Sequence, residues 1–231
     1  MKTLELNLKG MSGSILDSFQ ALRSDIMYMN DVNVVSFTST SPSEGKSVLS
    51  FYTAVSFASI NKKTLFIDCD MRKSHFSRNF IIGENGKKQE IIGLSEYITG
   101  QSSDLIYDTN YPNLHIIPCG KCPPDPSGIL SSAAFEEVLK VARSNYDYIV
   151  IDTPPVSVAG DACIAGRLAD GVIYVVRDGA IRSKEAKHCI EILERNECHI
   201  LGLVPNMVSK SSSNSYYYYY YYYGNYGYYN E

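Results

Sequence analysis

Short, nearly continuous apolar runs alternate with helical patterns along this chain, and that alternation limits its fold more than any other feature. Val32–Thr38, Thr64–Asp68, Leu114–Pro118, Tyr146–Asp152, Gly171–Arg177 and His199–Val204 have strand length. Between or beside them, Ile15–Met29, Ser47–Ile60, Ile129–Ser144 and Ser183–Asn196 carry helical spacing. A strand with one wet face alternates apolar and polar residues, whereas Val-Val-Ser-Phe, Leu-Phe-Ile and Tyr-Ile-Val-Ile hardly do. Such strands are buried on both faces, as in a mostly parallel sheet whose crossover helices cover both sides. The fold class expected is α/β. Residues 1–31 read as a leader with a helix, 32–208 as one domain, and 209–231 as a separate tail.

Ligands of open parallel sheets bind at the carboxyl ends of the strands, and three strands here end in chemistry. After Val32–Thr38 comes Ser39-Thr-Ser-Pro-Ser-Glu-Gly-Lys-Ser47, directly before a helix. Gly45 permits close backbone approach, Lys46 supplies a point charge for β/γ-phosphates, and the Ser47 hydroxyl can hold Mg²⁺. Gly-Lys-Ser alone also occurs in surface turns; the strand before it and the helix after it make it a phosphate loop. Thr40 stands where such loops usually carry their first glycine.

The second strand end is Ile67-Asp-Cys-Asp-Met-Arg72. Residues two apart in an extended chain face the same way, so Asp68 and Asp70 project together, suited to a metal shell and a hydroxyl acceptor. Arg72, with Lys73 and Arg78, adds positive charge behind them. The third is Ile149-Val-Ile-Asp-Thr-Pro-Pro155, whose Asp152 is the expected partner of a Mg²⁺ at Ser47. Together they make nucleotide binding the expectation, with contacts from Ser43, Glu44, Gly45, Lys46, Ser47, Val48 and Arg72.

The last sixteen residues hold eleven of the chain's 19 tyrosines: Tyr216, Tyr217, Tyr218, Tyr219, Tyr220, Tyr221, Tyr222, Tyr223, Tyr226, Tyr228 and Tyr229. Neither strand nor helix periodicity fits the run, and the serines before it and the glycines within it predict no fixed fold. A tail of about twenty residues reaches roughly 25 Å by random-coil scaling, so its phenols stand near a site on the domain at about millimolar effective concentration.

The three strand-end motifs and the tyrosine tail resemble those of the bacterial tyrosine kinases of capsular and exopolysaccharide synthesis. The resemblance implies a P-loop NTPase-type fold, ATP with Mg²⁺ and autophosphorylation of the tail between subunits. It implies Lys46 on the phosphates, Ser47, Asp70 and Asp152 at the metal, and catalytic roles for Lys46, Asp68, Asp70 and Asp152. Either Asp68 or Asp70 is the base. The partners it implies are a homo-oligomeric ring, an octamer in the family, the cytoplasmic segment of a membrane activator, and a cognate tyrosine phosphatase. Two departures stand out. Ser43 replaces a common glycine. Asp17, Gln20 and Arg23 match only at the arginine the family's Glu-x-x-Arg-x-x-Arg assembly helix.

Charge and composition close other routes. A net charge of −4 and a pI near 5.6 argue against a nucleic-acid surface. No apolar run approaches the ~20 residues of a membrane span, and the N-terminus lacks a signal-peptide pattern, so the expectation is a cytoplasmic protein recruited to the membrane's inner face. Cys119-Gly-Lys-Cys122 has no second pair, and ordinary reduced thiols are expected. Two other readings share the motifs: a positioning or partitioning ATPase, and a nucleotide-binding scaffold without catalysis. The first usually carries a lysine where this chain has Ser41 and has no use for the tyrosine cluster; against the second, Lys46, Ser47, Asp68, Asp70 and Asp152 are all present.

Overall fold

The computed structural model describes residues 2–6, 8, 13–74, 76, 81–82 and 91–208. The strands are β1 Lys2–Leu6, β2 Val34–Ser39, β3 Thr64–Asp68, β4 Ile81–Ile82, β5 Tyr107–Thr109, β6 Leu114–Ile117, β7 Tyr148–Asp152, β8 Gly171–Arg177 and β9 Ile200–Asn206. The helices are α1 Gly13–Tyr28, α2 Lys46–Ala58, α3 Leu94–Ile98, α4 Pro126–Leu130, α5 Ala133–Arg143, α6 Asp161–Leu168 and α7 Ser183–Arg195. The strands form one sheet in the order β4-β1-β5-β6-β3-β7-β2-β8-β9. From β6 to β9 every neighbouring pair is parallel; β4–β1 and β5–β6 are antiparallel.

Alternate residues of the central strands feed opposite cores. Val35, Phe37, Phe66, Val150 and Ile173 pack against Phe19 and Ile26 of α1 and Phe51 and Phe57 of α2. Val34, Leu65, Ile67, Ile149 and Ile151 pack on the other face against Phe135, Val138 and Leu139 of α5. A third cluster joins Val172 and Tyr174 of β8 to Ala162 of α6 and Leu193 of α7. Every residue of β2 and β3 is buried, which is why their sequences do not alternate.

Three expectations need correction. The leader is part of the sheet: β1 pairs in parallel with β5, with Leu4 and Leu6 buried in the α1–α2 core. The helix expected over Ile129–Ser144 is two. Ser132 caps the second, its Oγ accepting the Phe135 N–H at 3.2 Å, and a capping residue ends one helix as it starts the next. The stretch Asp161–Leu168, not assigned from sequence, is helix α6. No helix among the described residues is long and apolar enough to cross a membrane. The tyrosines from Tyr216 to Tyr229, and Arg78, lie outside the described residues.

Candidate active site

The sheet order puts β7 between β3 and β2, so the three strand ends singled out in sequence become neighbours. Asp68 and Asp152 are register partners, and Asp152 is also opposite Phe37, two residues before the phosphate loop. The Cys69 N–H donates to the Asp152 carbonyl at 2.8 Å, tying the turn after β3 to the end of β7.

The loop has its own bracing. Gly45 takes φ +88°, in the left-handed region, and a Cβ there would run into the Asn206 side chain. The Asn206 Nδ2 donates to the Glu44 carbonyl at 2.7 Å, so the end of β9 supports the turn. Glu44, expected among the nucleotide contacts, does not line the cavity. Its buried carboxylate accepts the Ser41 N–H and, at 3.0 Å, the Arg177 N–H. It braces the loop against the end of β8. Thr40 is buried, and its hydroxyl shares a 2.7 Å hydrogen bond with the Tyr174 phenol. Its φ is negative, so this position has no need of glycine, and the side chain anchors the loop instead. Ser43 does take φ +67°, a region that favours glycine.

A cavity of about 300 Å³ opens above this loop, lined by Ser43, Lys46, Ser47, Asp70 and Arg72 and rimmed by Val48, Val158 and Met207. The Lys46 ammonium is nearly buried and lies 3.1 Å from Asp70 Oδ2, 3.1 Å from Ser47 Oγ and 3.5 Å from Asp152 Oδ1. Burial works against its charge, but the Asp152 and Asp70 carboxylates outweigh it and hold its pKa above the ordinary lysine value. Asp68 is fully buried. Its Oδ1 accepts the Asp70 N–H at 3.1 Å and its Oδ2 the Ser74 hydroxyl. Burial first, then the Asp152 carboxylate, raise its pKa to about 7. Burial also raises Asp152, with Lys46 pulling it back.

Neither Asp152 oxygen has a hydrogen-bond partner among the described residues. A buried carboxylate so placed is costly unless a cation satisfies it. No group of three or more His, Cys, Asp or Glu among the described residues could form a metal cage. Ser47, Asp70 and Asp152 do fit Mg²⁺ in its usual partnership with nucleotide phosphates, where one or two carboxylates suffice.

Sequence reasoning missed Asp161 and Ser127, which meet Arg72 from far along the chain, and Ser74 and Asn206, whose contacts no local pattern announces. Of the three residues compared with the family's assembly helix, Asp17 and Gln20 are exposed on α1, whereas Arg23 turns inward. Its Nη1 donates to the Ser56 carbonyl at 3.0 Å and the Ser56 hydroxyl at 3.1 Å.

Known proteins are similar to this chain in sequence and fold. A family model described as an AAA domain matches residues 32–177. Tyrosine-protein kinase CpsD of Streptococcus agalactiae serotype Ia is 36% identical over 196 residues, which cover 84% of this chain and 82% of that protein. Putative tyrosine-protein kinase CapB of Staphylococcus aureus is 34% identical, covering 84% of each chain. Among solved structures, the chimerical protein CapA2B2 superposes with a TM-score of 0.76 at 32% identity, covering 84% of this chain and 85% of the other. The kinase domain of Escherichia coli tyrosine kinase ETK does so with 0.74 at 28%, covering 84% and 78%. The MinC:MinD complex of Aquifex aeolicus, at 0.63 and 19% identity, shares the fold.

Proposed function

The chain belongs to the bacterial tyrosine-protein kinase family that includes CpsD and CapB, and on that footing we propose that it transfers the γ-phosphoryl group of ATP to the tyrosines of its own C-terminal run. The observation that carries this reading is the gathering of Lys46, Ser47, Asp68, Asp70 and Asp152 at three adjoining strand ends, on a chain that also bears Tyr216 to Tyr229.

In the reaction a phenolic oxygen bonds to the γ-phosphorus, the bond from that phosphorus to the β–γ bridging oxygen breaks, and ADP leaves. Lys46 moves from the carboxylates to the phosphates and offsets their charge. Ser47, Asp70 and Asp152 would hold Mg²⁺, which when bound neutralises charge building on the phosphate oxygens. Asp68 takes the phenolic proton. Its pKa near 7 suits a base working at neutral pH, and its Oδ2 accepts a hydrogen bond from the Ser74 hydroxyl. The loop, braced by Glu44 and Asn206, keeps its backbone shape while this happens.

Transfer runs between subunits of a homo-oligomer, the octameric ring of the family resemblance, with α1 at the contact through Asp17 and Gln20. The cytoplasmic segment of a membrane protein activates it at the inner face of the membrane, and a tyrosine phosphatase reverses it. Each phosphate adds about −1.5 to −2 charges, so four would exceed the chain's own net charge of −4 and loosen assembly, regulating polysaccharide synthesis and export.

The test is incubation with Mg-ATP, with and without the activator segment, and mapping of phosphates by mass spectrometry. Tail phosphotyrosine that disappears in Lys46→Met supports the kinase. Phosphate release without phosphotyrosine supports a positioning ATPase. No turnover under either condition supports a scaffold.

A further inference from the structure

Arg72 does not stand free at the cavity edge. Its Nε donates to Asp161 Oδ2 at 2.9 Å, and its Nη2 to Asp161 Oδ1 at 3.3 Å and to Ser127 Oγ at 3.2 Å. The Ser127 hydroxyl in turn donates to Asp161 Oδ1 at 2.5 Å. Three elements meet there: the turn after β3, helix α4 and the first residue of α6. Asp161 is fully buried, while the Arg72 side chain is 39% exposed.

A solvated surface arginine is the ordinary fate of such a residue. Asp161 argues otherwise. Burying a carboxylate completely is expensive, and an apolar residue of like volume generally serves a fold as well or better. What the pair supplies is direction. A guanidinium carries five N–H donors in a rigid fork. Asp161 and Ser127 occupy the Nε–Nη2 edge, and Nη1 has no hydrogen bond among the described residues. Arg72 lines the same cavity as Lys46, Ser47 and Asp70.

We infer that Asp161, assisted by Ser127, is a positioning residue that locks Arg72 with its Nη1 edge presented to the terminal phosphate of the nucleotide. The inference rests on the kinase reading for its consequence in catalysis. Its geometry needs only nucleotide binding, so the two are tested apart. Asp161 never touches the nucleotide; it acts by removing the freedom of the arginine that does.

The experiment compares the affinities of Mg-ADP and of a non-hydrolysable Mg-ATP analogue by calorimetry in full-length wild type, Arg72→Lys, Asp161→Asn and Ser127→Ala. Arg72→Lys keeps the charge and loses the fork. The preference for the triphosphate over the diphosphate should fall at least fivefold in Arg72→Lys and Asp161→Asn, and by less in Ser127→Ala. Autophosphorylation kcat should drop about 10- to 100-fold in Asp161→Asn, the scale of a misplaced group acting at a distance. Joined to Arg72→Ala, Asp161→Asn should add no further loss. If Asp161→Asn does not fold, Arg72→Lys and Ser127→Ala decide. A triphosphate preference equal to wild type in the folded variants overturns the inference, whatever the kinase assay gives. Absence of phosphotyrosine from wild type overturns the kinase reading and leaves the affinity ratios to judge the clamp.

Discussion

Asp68 and Asp152 stand directly opposite each other in the register of β3 and β7, two buried carboxylates at the ends of adjoining strands. With Asp70 they make three acids around the Lys46 ammonium. Crowded carboxylates in a dry site cost stability, which a bound divalent cation would relieve.

The first consequence concerns Asp68 and pH. Its folded pKa of about 7 is above the ordinary 3.8, so the folded protein keeps a proton that the unfolded chain has released. The stability from that proton is complete below the ordinary pKa and is lost as pH rises through the folded one. Asp68→Asn removes the titration. Without nucleotide, its melting temperature should exceed that of wild type by a margin that grows from pH 5 to pH 8, while phosphotyrosine formation falls at least 100-fold. A constant margin in thermal melts across that range would contradict this assignment.

Removing the lysine should do the reverse. Lys46→Met leaves Asp70 and Asp152 without their cation, and breaking a buried pair from one side typically costs about 3–5 kcal/mol. Denaturant titration should show a loss of that order. Adding Asp152→Asn should recover part of it, since the uncompensated charge is then smaller.

Ser43 holds a left-handed backbone at φ +67°. An L-residue there costs roughly 1–2 kcal/mol, partly offset by the extra freedom glycine has when unfolded. Ser43→Gly should therefore raise stability by about 0.5–1 kcal/mol and tighten nucleotide binding slightly, whereas Gly45→Ala should abolish binding. Calorimetric titration of both variants checks the pair.

Metal dependence follows from the unsatisfied Asp152 oxygens. Nucleotide at a hundredfold excess over its Kd with Mg²⁺ should stabilise the fold by about 2.7 kcal/mol. Chelation with EDTA should remove most of that gain in wild type. Asp152→Asn should gain little in either condition. Scanning fluorimetry with and without chelator reads all four cases.

The sequence discloses the site better than the periphery, for a physical reason. β2, β3 and β7 are buried on both faces, so their apolar runs are unbroken and their ends are marked by the polar residues that do chemistry. Lys46, Asp68, Asp70 and Asp152 are legible because each sits at such a boundary. β1, more than half of it exposed, and β5, with three residues, carry no continuous apolar run. Tertiary pairing decides them. The inward turn of Glu44 depends on the Arg177 N–H, 133 residues away, and the Arg72 clamp joins residues 89 apart. No local spacing encodes either. Ser132 could have been read as a cap, since a serine followed three residues on by Phe135 and then acids is a helix start.

Asn206 ends the last strand of the sheet and also holds the Glu44 carbonyl beneath the phosphate loop. The covalent chain runs from it through Met207, at the cavity rim, towards the tyrosines. Any pull on the chain beyond Met207 is therefore passed along the backbone to the residue that props the loop, and the end of the last strand is a mechanical lever on the cavity floor.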